Sequence, residues 1–329
     1  MLFRSDNIKI GVTSSFEITH QSIGQPNSEF WESKNKFLEK WGSKLPIDLK
    51  PEKIFVPIIK EKKIKNVGKI AIIIPTKGNV KILFECINSF LEHCNSELFE
   101  IFIADTGSNE EEKNKIKNYI KEIKNTKLIE YDYYNFSKIN NDVVKNHLND
   151  QFEYCLFCNN DIKIMNNVIY SMLKIITENK KVGTVGCRLH FGNNLIQHSG
   201  IFGLINKEKR FGVSHISLNS YYNYSIMPKI TLGNTGALLM IRKKLFELCG
   251  GFNEKYISCF EDVELNLRCI LLGYVNITDN QSVAYHYESL TRNLDSKKLE
   301  YLTQDYIDNL IPFINENITK LQNHFILEN

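Results

Sequence analysis

An α/β fold with a mostly parallel central sheet flanked by helices is what this sequence predicts, and two observations predict it. From Lys69 onward, short apolar runs alternate with stretches whose apolar residues recur at helical spacing, the rhythm of βα units. Polar turns follow several of those runs at their carboxyl ends, the edge at which open α/β sheets bind ligands. The composition agrees, since 43% hydrophobic and 24% charged residues over 329 positions can bury a substantial core and exclude an acidic disordered or collagen-like chain.

The elements follow in order. Lys69 to Pro75 reads as a fully buried strand stopped by its proline; then Val80, Leu83, Phe84, Ile87 and Leu91 recur at helical spacing after Asn79, a candidate cap. Glu100 to Ala104 is a second strand, and Ile116, Tyr119, Ile120 and Ile123 mark a second helix. A strand near Leu128 to Tyr131, a helix around Ile139 to His147 and a strand at Tyr154 to Cys158 complete four βα-like units, which make a nucleotide-binding half. Beyond Val182 the pattern becomes mixed, with strands near Val182 to Arg188 and Gly236 to Ile241, and a helix from Asp262 to Leu272 ended by Gly273. An acceptor-binding half belongs there.

The two ends differ from this body. Residues 1 to 66 are aromatic and basic around Phe30-Trp31 and Lys40-Trp41, then linker-like from Leu49 to Val67. They are expected to form an appended segment followed by a linker. After Asn293, Leu299, Leu302, Ile307 and Leu310 repeat at helical spacing, Pro312 is expected to break the helix, and Ile314, Ile318 and Leu321 resume it as a packed tail. The domain scheme is therefore 1–66, 67–293 (nucleotide half 67–165, acceptor half 166–293) and 294–329.

Lys and Arg total 41 against 38 Asp and Glu, a formal charge of +3 that gives no argument for nucleic acid. No apolar run approaches the roughly 18 residues that cross a bilayer, and Met1 to Gly11 lacks the apolar region of a secretory signal. A cytoplasmic location is expected. Most of the eight cysteines lie in apolar segments, so no disulfide framework is expected, and Cys155 and Cys158 read as strand packing rather than half of a zinc site.

Four features carry chemistry. Asp105, followed by Gly107-Ser108, stands at the carboxyl end of a buried strand, where a carboxylate can accept hydrogen bonds from ribose or base; its bland alternative is a turn cap. Asn159-Asn160-Asp161 occupies the same kind of position and can give a hard cation one carboxylate, although such a triplet is also common in turns. Glu261, Asp262 and Glu264 crowd a helix start, whose dipole favours ionised carboxylates able to accept a proton; alternatively Asp262 caps the helix and Glu264 faces solvent. His286 ends a strand and can complete the coordination of a divalent ion, while Arg292 in the loop beyond can fork onto phosphate.

Taken in order and spacing, these features resemble the family 2 glycosyltransferases of the GT-A fold. The resemblance covers about residues 69 to 293. It rests on Pro75-Thr76, Asp105 with Gly107-Ser108, Asn135 to Asn141, and Asn159-Asn160-Asp161 as a version of the Asp-x-Asp signature. It continues through Ile196-Gln197-His198-Ser199-Gly200, Gly233 to Ile241, Gly250-Gly251-Phe252, Glu261-Asp262 and the loop from His286 to Arg292.

The resemblance implies an inverting enzyme that moves a sugar from a nucleotide diphosphate donor to an acceptor hydroxyl, glycan or lipid-linked, in bacterial surface polysaccharide or glycoconjugate synthesis. It implies that Thr76, Asp105, Ser108, Lys138, Asn159, Asn160 and Arg292 contact the donor, and that Asp161 and His286 hold a divalent metal, Mn²⁺ or Mg²⁺, with the diphosphate. Asp262 is then the base, with Glu261 its nearest rival. Asn159 departs from the acidic residue of many relatives, which leaves partial or absent metal dependence open. The N-terminal segment lies outside the resemblance and faintly echoes sequence that follows such cores in multi-module enzymes, which would make a partner module a binding partner. Peripheral membrane contact through the lysines of 60 to 69 is a further expectation. The rival reading is a catalytically weak module that keeps the fold and binds a glycan or a partner enzyme. A nucleotidyltransferase would need a Gly-rich phosphate loop where the chain offers only Pro75-Thr-Lys-Gly78.

Overall fold

The computed structural model describes residues 54–62, 64, 67–206, 211–220, 226–287 and 296–327. The N-terminal segment, most of the linker and Arg292 lie outside the described residues.

The run KIAIIIPT forms β1 (Lys69–Thr76), buried along almost its whole length because helices cover both faces. After it come α1 (Val80–His93), β2 (Phe99–Asp105), α2 (Glu110–Lys121), β3 (Thr126–Glu130), α3 (Phe136–Asp142) and β4 (Phe152–Cys158). A π-helical turn, Val143–His147, extends α3 over most of the expected helix. Strands β2 and β4 pair with β1 in parallel, and β3 pairs with β2, so all four end at one edge. Asn79 does precede α1, but at φ 43° with no side-chain cap bond; its carbonyl, not its amide, receives the first turn. Asn109 caps α2 through a full capping box with Glu112.

The second half consists of β5 (Ile162–Ile164), α4 (Val168–Glu178), β6 (Val182–His190), β7 (Ile196–His198), β8 (Ile201–Ile205), β9 (Phe211–His215), β10 (Lys229–Thr231), β11 (Leu238–Arg242), α5 (Lys243–Leu248), α6 (Glu261–Leu271) and β12 (Val275–His286). Among the described residues, the main sheet runs β10-β12-β6-β11-β4-β1-β2-β3, with β5 on β12 and β7 on β6. Strand β11 is antiparallel to both β4 and β6, so the parallel order stops where the halves join. The mixed pattern expected beyond Val182 is this arrangement.

One apolar layer packs α1 and α4 on one face of the sheet; another packs α3, α5 and part of α6 on the opposite face. Leu310, Ile314 and Leu321 of the C-terminal helices join Val263 and Leu267 of α6 in a third cluster, within the unit Phe55–Asn329. Those helices are α7 (Ser296–Asp305) and α8 (Ile311–Leu321), followed by β13 (Ile326–Leu327), which pairs with β8.

Three expectations are corrected here. Pro312 does not break the tail: it lies in the first turn of α8, where no helical N–H is needed, and the π turn Tyr306–Leu310 links the two helices. Of the residues expected to pack, Leu302 and Ile307 face outward, and Ile307 is 57% exposed. The described part of the linker is tied down, because Pro57 O accepts from Asn166 Nδ2 at 3.0 Å, Lys62 N–H donates to the Tyr170 hydroxyl at 2.7 Å, and buried Arg188 donates to Phe55 O. No described helix is long and apolar enough to cross a membrane.

Candidate active site

The carboxyl ends of β1, β2 and β4 build one side of the site. Register places Thr76 beside Asp105. The Thr76 hydroxyl accepts from Asn160 Nδ2 at 2.9 Å, and its carbonyl accepts from the Thr106 N–H at 2.8 Å. Asp105 is 0% exposed. It accepts from the Ser108 hydroxyl and N–H, and Ser108 Oγ in turn accepts from the Gly78 N–H at 2.8 Å. Asp105 and Ser108 thus lock the loops after β1 and β2 together at the carboxyl edge of the sheet. Lys138 is exposed on α3, with its ammonium 4.5 Å from the centre of the Tyr133 ring.

Asp161 and His286 meet because β5 pairs antiparallel with the end of β12, setting Ile162 opposite His286. Asp161 Oδ1 lies 3.2 Å from His286 Nε2, and both residues are buried. Asn159 Nδ2 also lies 3.2 Å from that nitrogen. On the ring's other side, Nδ1 donates to Gln197 Oε1 at 2.6 Å. With Nδ1 turned to Gln197, Nε2 is the ring nitrogen that faces Asp161 and could ligate a metal.

This donor set suits a hard divalent cation shared with a phosphate. It offers one carboxylate and one imidazole lone pair 3.2 Å apart, and adjacent ligands of an octahedral Mg²⁺-type ion lie about 3 Å apart. Among the described residues, no group of three or more His, Cys, Asp or Glu could hold an ion without such help. A cavity of about 180 Å³ opens beside Asp161, lined by Ile82, Glu85, Cys86, Lys163 and Tyr287.

Asp262 comes from the other side. It is the second residue of α6, and Phe260 precedes the helix in the left-handed region at φ 72°. Asp262 Oδ2 accepts from the Gly236 N–H at 2.7 Å, and Oδ1 from the Val263 N–H at 2.7 Å. The neighbouring Ala237 carbonyl accepts from the Asn159 N–H at 2.9 Å. One run of contacts therefore links Asp262, Gly236-Ala237, Asn159, His286 and Asp161, and Asn160 extends it to Thr76 beside Asp105. Glu261 is half-buried next to Asp262.

Neither bland alternative for this helix holds. Asp262 lies inside the first turn rather than at the cap, and Glu264 is buried, paired with Arg268 at 3.3 Å and accepting from Asn253 at 3.0 Å. Burial, then the Glu264 carboxylate, push the Tyr256 phenol far above its ordinary value.

Sequence reasoning missed the support beneath Asp262. Asn266, one turn along α6, donates to Asp262 O at 2.7 Å and Asn234 O at 2.8 Å, and accepts from Thr184 Oγ1 at 2.6 Å and the Asn234 N–H at 3.2 Å. Asn276 adds bonds to Leu232 O and Asn266 O. All of these amides are buried. A Cβ on Gly233 would sit 2.6 Å from Asn266 Cγ, so glycine there admits the amide. Gln197 was also without an assigned role; its signal was its place beside His198 in a polar strand. His198 Nδ1 lies 2.7 Å from His215 Nδ1, and burial, then His215 and His286, hold the His198 ring well below its ordinary pKa. Burial lowers His190 to about 4.

Comparison with known proteins shows the family and the fold. Residues 71–248, more than half of the chain, match glycosyl transferase family 2. The chain is 26% identical over 236 residues to the O-antigen biosynthesis protein RfbC of Myxococcus xanthus, covering 71% of this chain and 18% of that protein. It is 26% identical over 286 residues to the uncharacterized protein y4gI of Sinorhizobium fredii, covering 78% and 30%. It thus spans less than a third of the length of either relative. Among solved structures, GalNAc-T7 with UDP, GalNAc and Mn²⁺ superposes with a TM-score of 0.57 at 13% identity, over 78% of this chain and 55% of that one. The mannosyltransferase PcManGT of Pyrobaculum calidifontis, in complex with GDP-Man and Mn²⁺, gives 0.53 at 14% identity, over 88% and 71%. The fold is that of the GT-A glycosyltransferases. By its matched residues and its fold, the chain belongs to glycosyl transferase family 2.

Proposed function

We propose that this crevice transfers a sugar, with inversion, from a nucleoside diphosphate donor to an acceptor hydroxyl in the building of a bacterial surface polysaccharide or glycoconjugate. The observation that supports it is the run of contacts tying Asp161 and His286 to Asp262 across the junction of the two half-sheets. Thr76, Asp105, Ser108 and Lys138 form the nucleoside end, and Asn159 and Asn160 the diphosphate end. Asp161 and His286 would hold Mn²⁺ or Mg²⁺, which when bound neutralises charge on the diphosphate.

Asp262 does the proton chemistry. Its carboxylate takes the proton of the acceptor hydroxyl as the acceptor oxygen bonds the anomeric carbon and the bond from that carbon to the diphosphate breaks. The Gly236 and Val263 N–H groups fix both carboxylate oxygens, so the base is aimed before the acceptor arrives. The Mn²⁺ and nucleotide of the two solved neighbours, and the O-antigen role of the Myxococcus relative, support donor class and pathway. A lipid-linked acceptor, peripheral membrane contact through the lysines of 60 to 69 and a partner module for the N-terminal segment belong to the same proposal.

A thermal-shift and turnover screen of nucleotide sugars, with and without Mn²⁺, tests it. A donor that raises the melting temperature only with the cation, and is consumed when acceptor is added, is the expected outcome. No stabilisation by any nucleoside diphosphate, with or without Mn²⁺, would reject it.

A further inference from the structure

We propose that Asp305, in the C-terminal helical segment, is a positioning residue for the base, so that the segment forms part of the acceptor half rather than a tail. This rests on Asp262 being that base.

Asp305 ends α7 and is 0% exposed. Its carboxylate accepts from three successive backbone amides of the loop before α6: Ile257 at 2.9 and 3.1 Å, Ser258 at 2.7 Å and Cys259 at 3.1 Å. No ion pair to it is found among the described residues, so its charge is met by a concave nest of N–H groups. A buried carboxylate is costly wherever it is not so satisfied, which makes its placement specific.

What the carboxylate grips is the approach to the base. Cys259 is followed by Phe260 at φ 72°, then by Glu261 and Asp262. The left-handed region is unfavourable for a bulky residue, and such a conformation persists only where its surroundings over-determine it. Two features do so here. Asp305 fixes the amides just before Phe260, and the ring of the next tail residue, Tyr306, packs 5.7 Å from the Phe260 ring. The Phe260 carbonyl then accepts from the Glu264 N–H at 2.9 Å, starting the helix that carries Asp262. Leu310, Ile314 and Leu321 cover Val263 and Leu267 on the same helix. Released, the loop could relax Phe260, turn the first turn of α6 and draw the Asp262 carboxylate from the Gly236 amide.

The test is Asp305→Asn, which keeps the volume but lowers the charge and places an NH₂ among donors. The expected result is a fall in transfer kcat of tenfold or more, on the scale of a small misplacement of a reacting group. Nucleoside diphosphate affinity with Mn²⁺ should stay within about twofold and amide hydrogen exchange at 257–259 should quicken, whereas Ile307→Ser, on the exposed side of the same segment, should match the wild type. Wild-type kcat with quickened exchange at 257–259 would overturn the inference. Should Asp305→Asn fail to fold, Tyr306→Leu removes the second contact while leaving the carboxylate, and a kcat equal to wild type from that variant would overturn it equally. Asp262→Asn, run alongside, separates the claims: if it retains turnover the base assignment fails, and if it is inactive while Asp305→Asn is normal, only the positioning role fails.

Discussion

The two halves of the catalytic unit place their functional groups by opposite means. In the β3-β2-β1-β4 half, Thr76, Asp105 and Asn160 stand at the common edge of parallel strands, and single links such as Asn160 to Thr76 finish the job. In the other half β11 runs against both neighbours while β6 and β12 pair in parallel, and Asp262, carried by a helix rather than a strand, is held by a loop amide, a buried amide network and the C-terminal segment. A strand end takes its position from register; a helix start must obtain it from specific polar contacts. The first device should tolerate loss of a link, the second should not.

Four experiments break or sharpen that contrast. The largest effect should come from Asp161→Asn, the one described residue that gives the crevice a carboxylate next to His286: turnover is expected to fall on the order of 10³-fold, with cation-dependent nucleotide affinity lost alongside. A metal titration that leaves Mn²⁺ affinity unchanged in this variant would contradict the shared site.

Next, Asn266→Ala should cost about 3 kcal/mol of stability, because it strips partners from several buried groups at once, whereas Asn160→Ala should cost about 1 kcal/mol. Denaturant midpoints compare the two directly, and equal losses would erase the difference between the halves.

Third, Gln197→Leu should weaken Mn²⁺ binding by about 10–100-fold while leaving the fold intact, since it removes the acceptor that fixes the His286 tautomer. Electron paramagnetic resonance of bound Mn²⁺ reads this without turnover.

The smallest effect is that of pH. His190, 1% exposed and lowered to about 4, binds its proton more readily when unfolded, at an ordinary value near 6.5. Stability is therefore full above about pH 6.5 and falls as pH drops from there toward 4, by about 1 kcal/mol at pH 5.5. His198 acts in the same direction. Unfolding at pH 7.5 and 5.5 measures the slope, and His190→Asn should flatten it.

The same contrast explains what the sequence reveals. The strands Lys69–Thr76, Phe99–Asp105 and Phe152–Cys158 are legible because burial on both faces leaves continuous apolar runs with polar turns at their ends, and Asp161 follows from that placement. Asp262 is legible as a carboxylate at a helix start. Strand β12 is legible only at its end, His286, since Asn276, Thr278, Asp279, Asn280 and Ser282 are buried along it, and hydrophobic periodicity cannot register a polar interior. Helix α4 is harder to read: seven of its residues are buried and only Lys174 and Glu178 are exposed, so its polar face is narrow. The grip of Asp305 on residues 257–259 depends on partners distant in sequence, which no local pattern contains.

The claim that both halves serve one reaction is tested most directly by Asp262→Asn, assayed for donor binding and for sugar transfer on one preparation. The account predicts unchanged Mn²⁺-dependent donor affinity with transfer reduced on the order of 10³-fold. Transfer near the wild-type rate would contradict it.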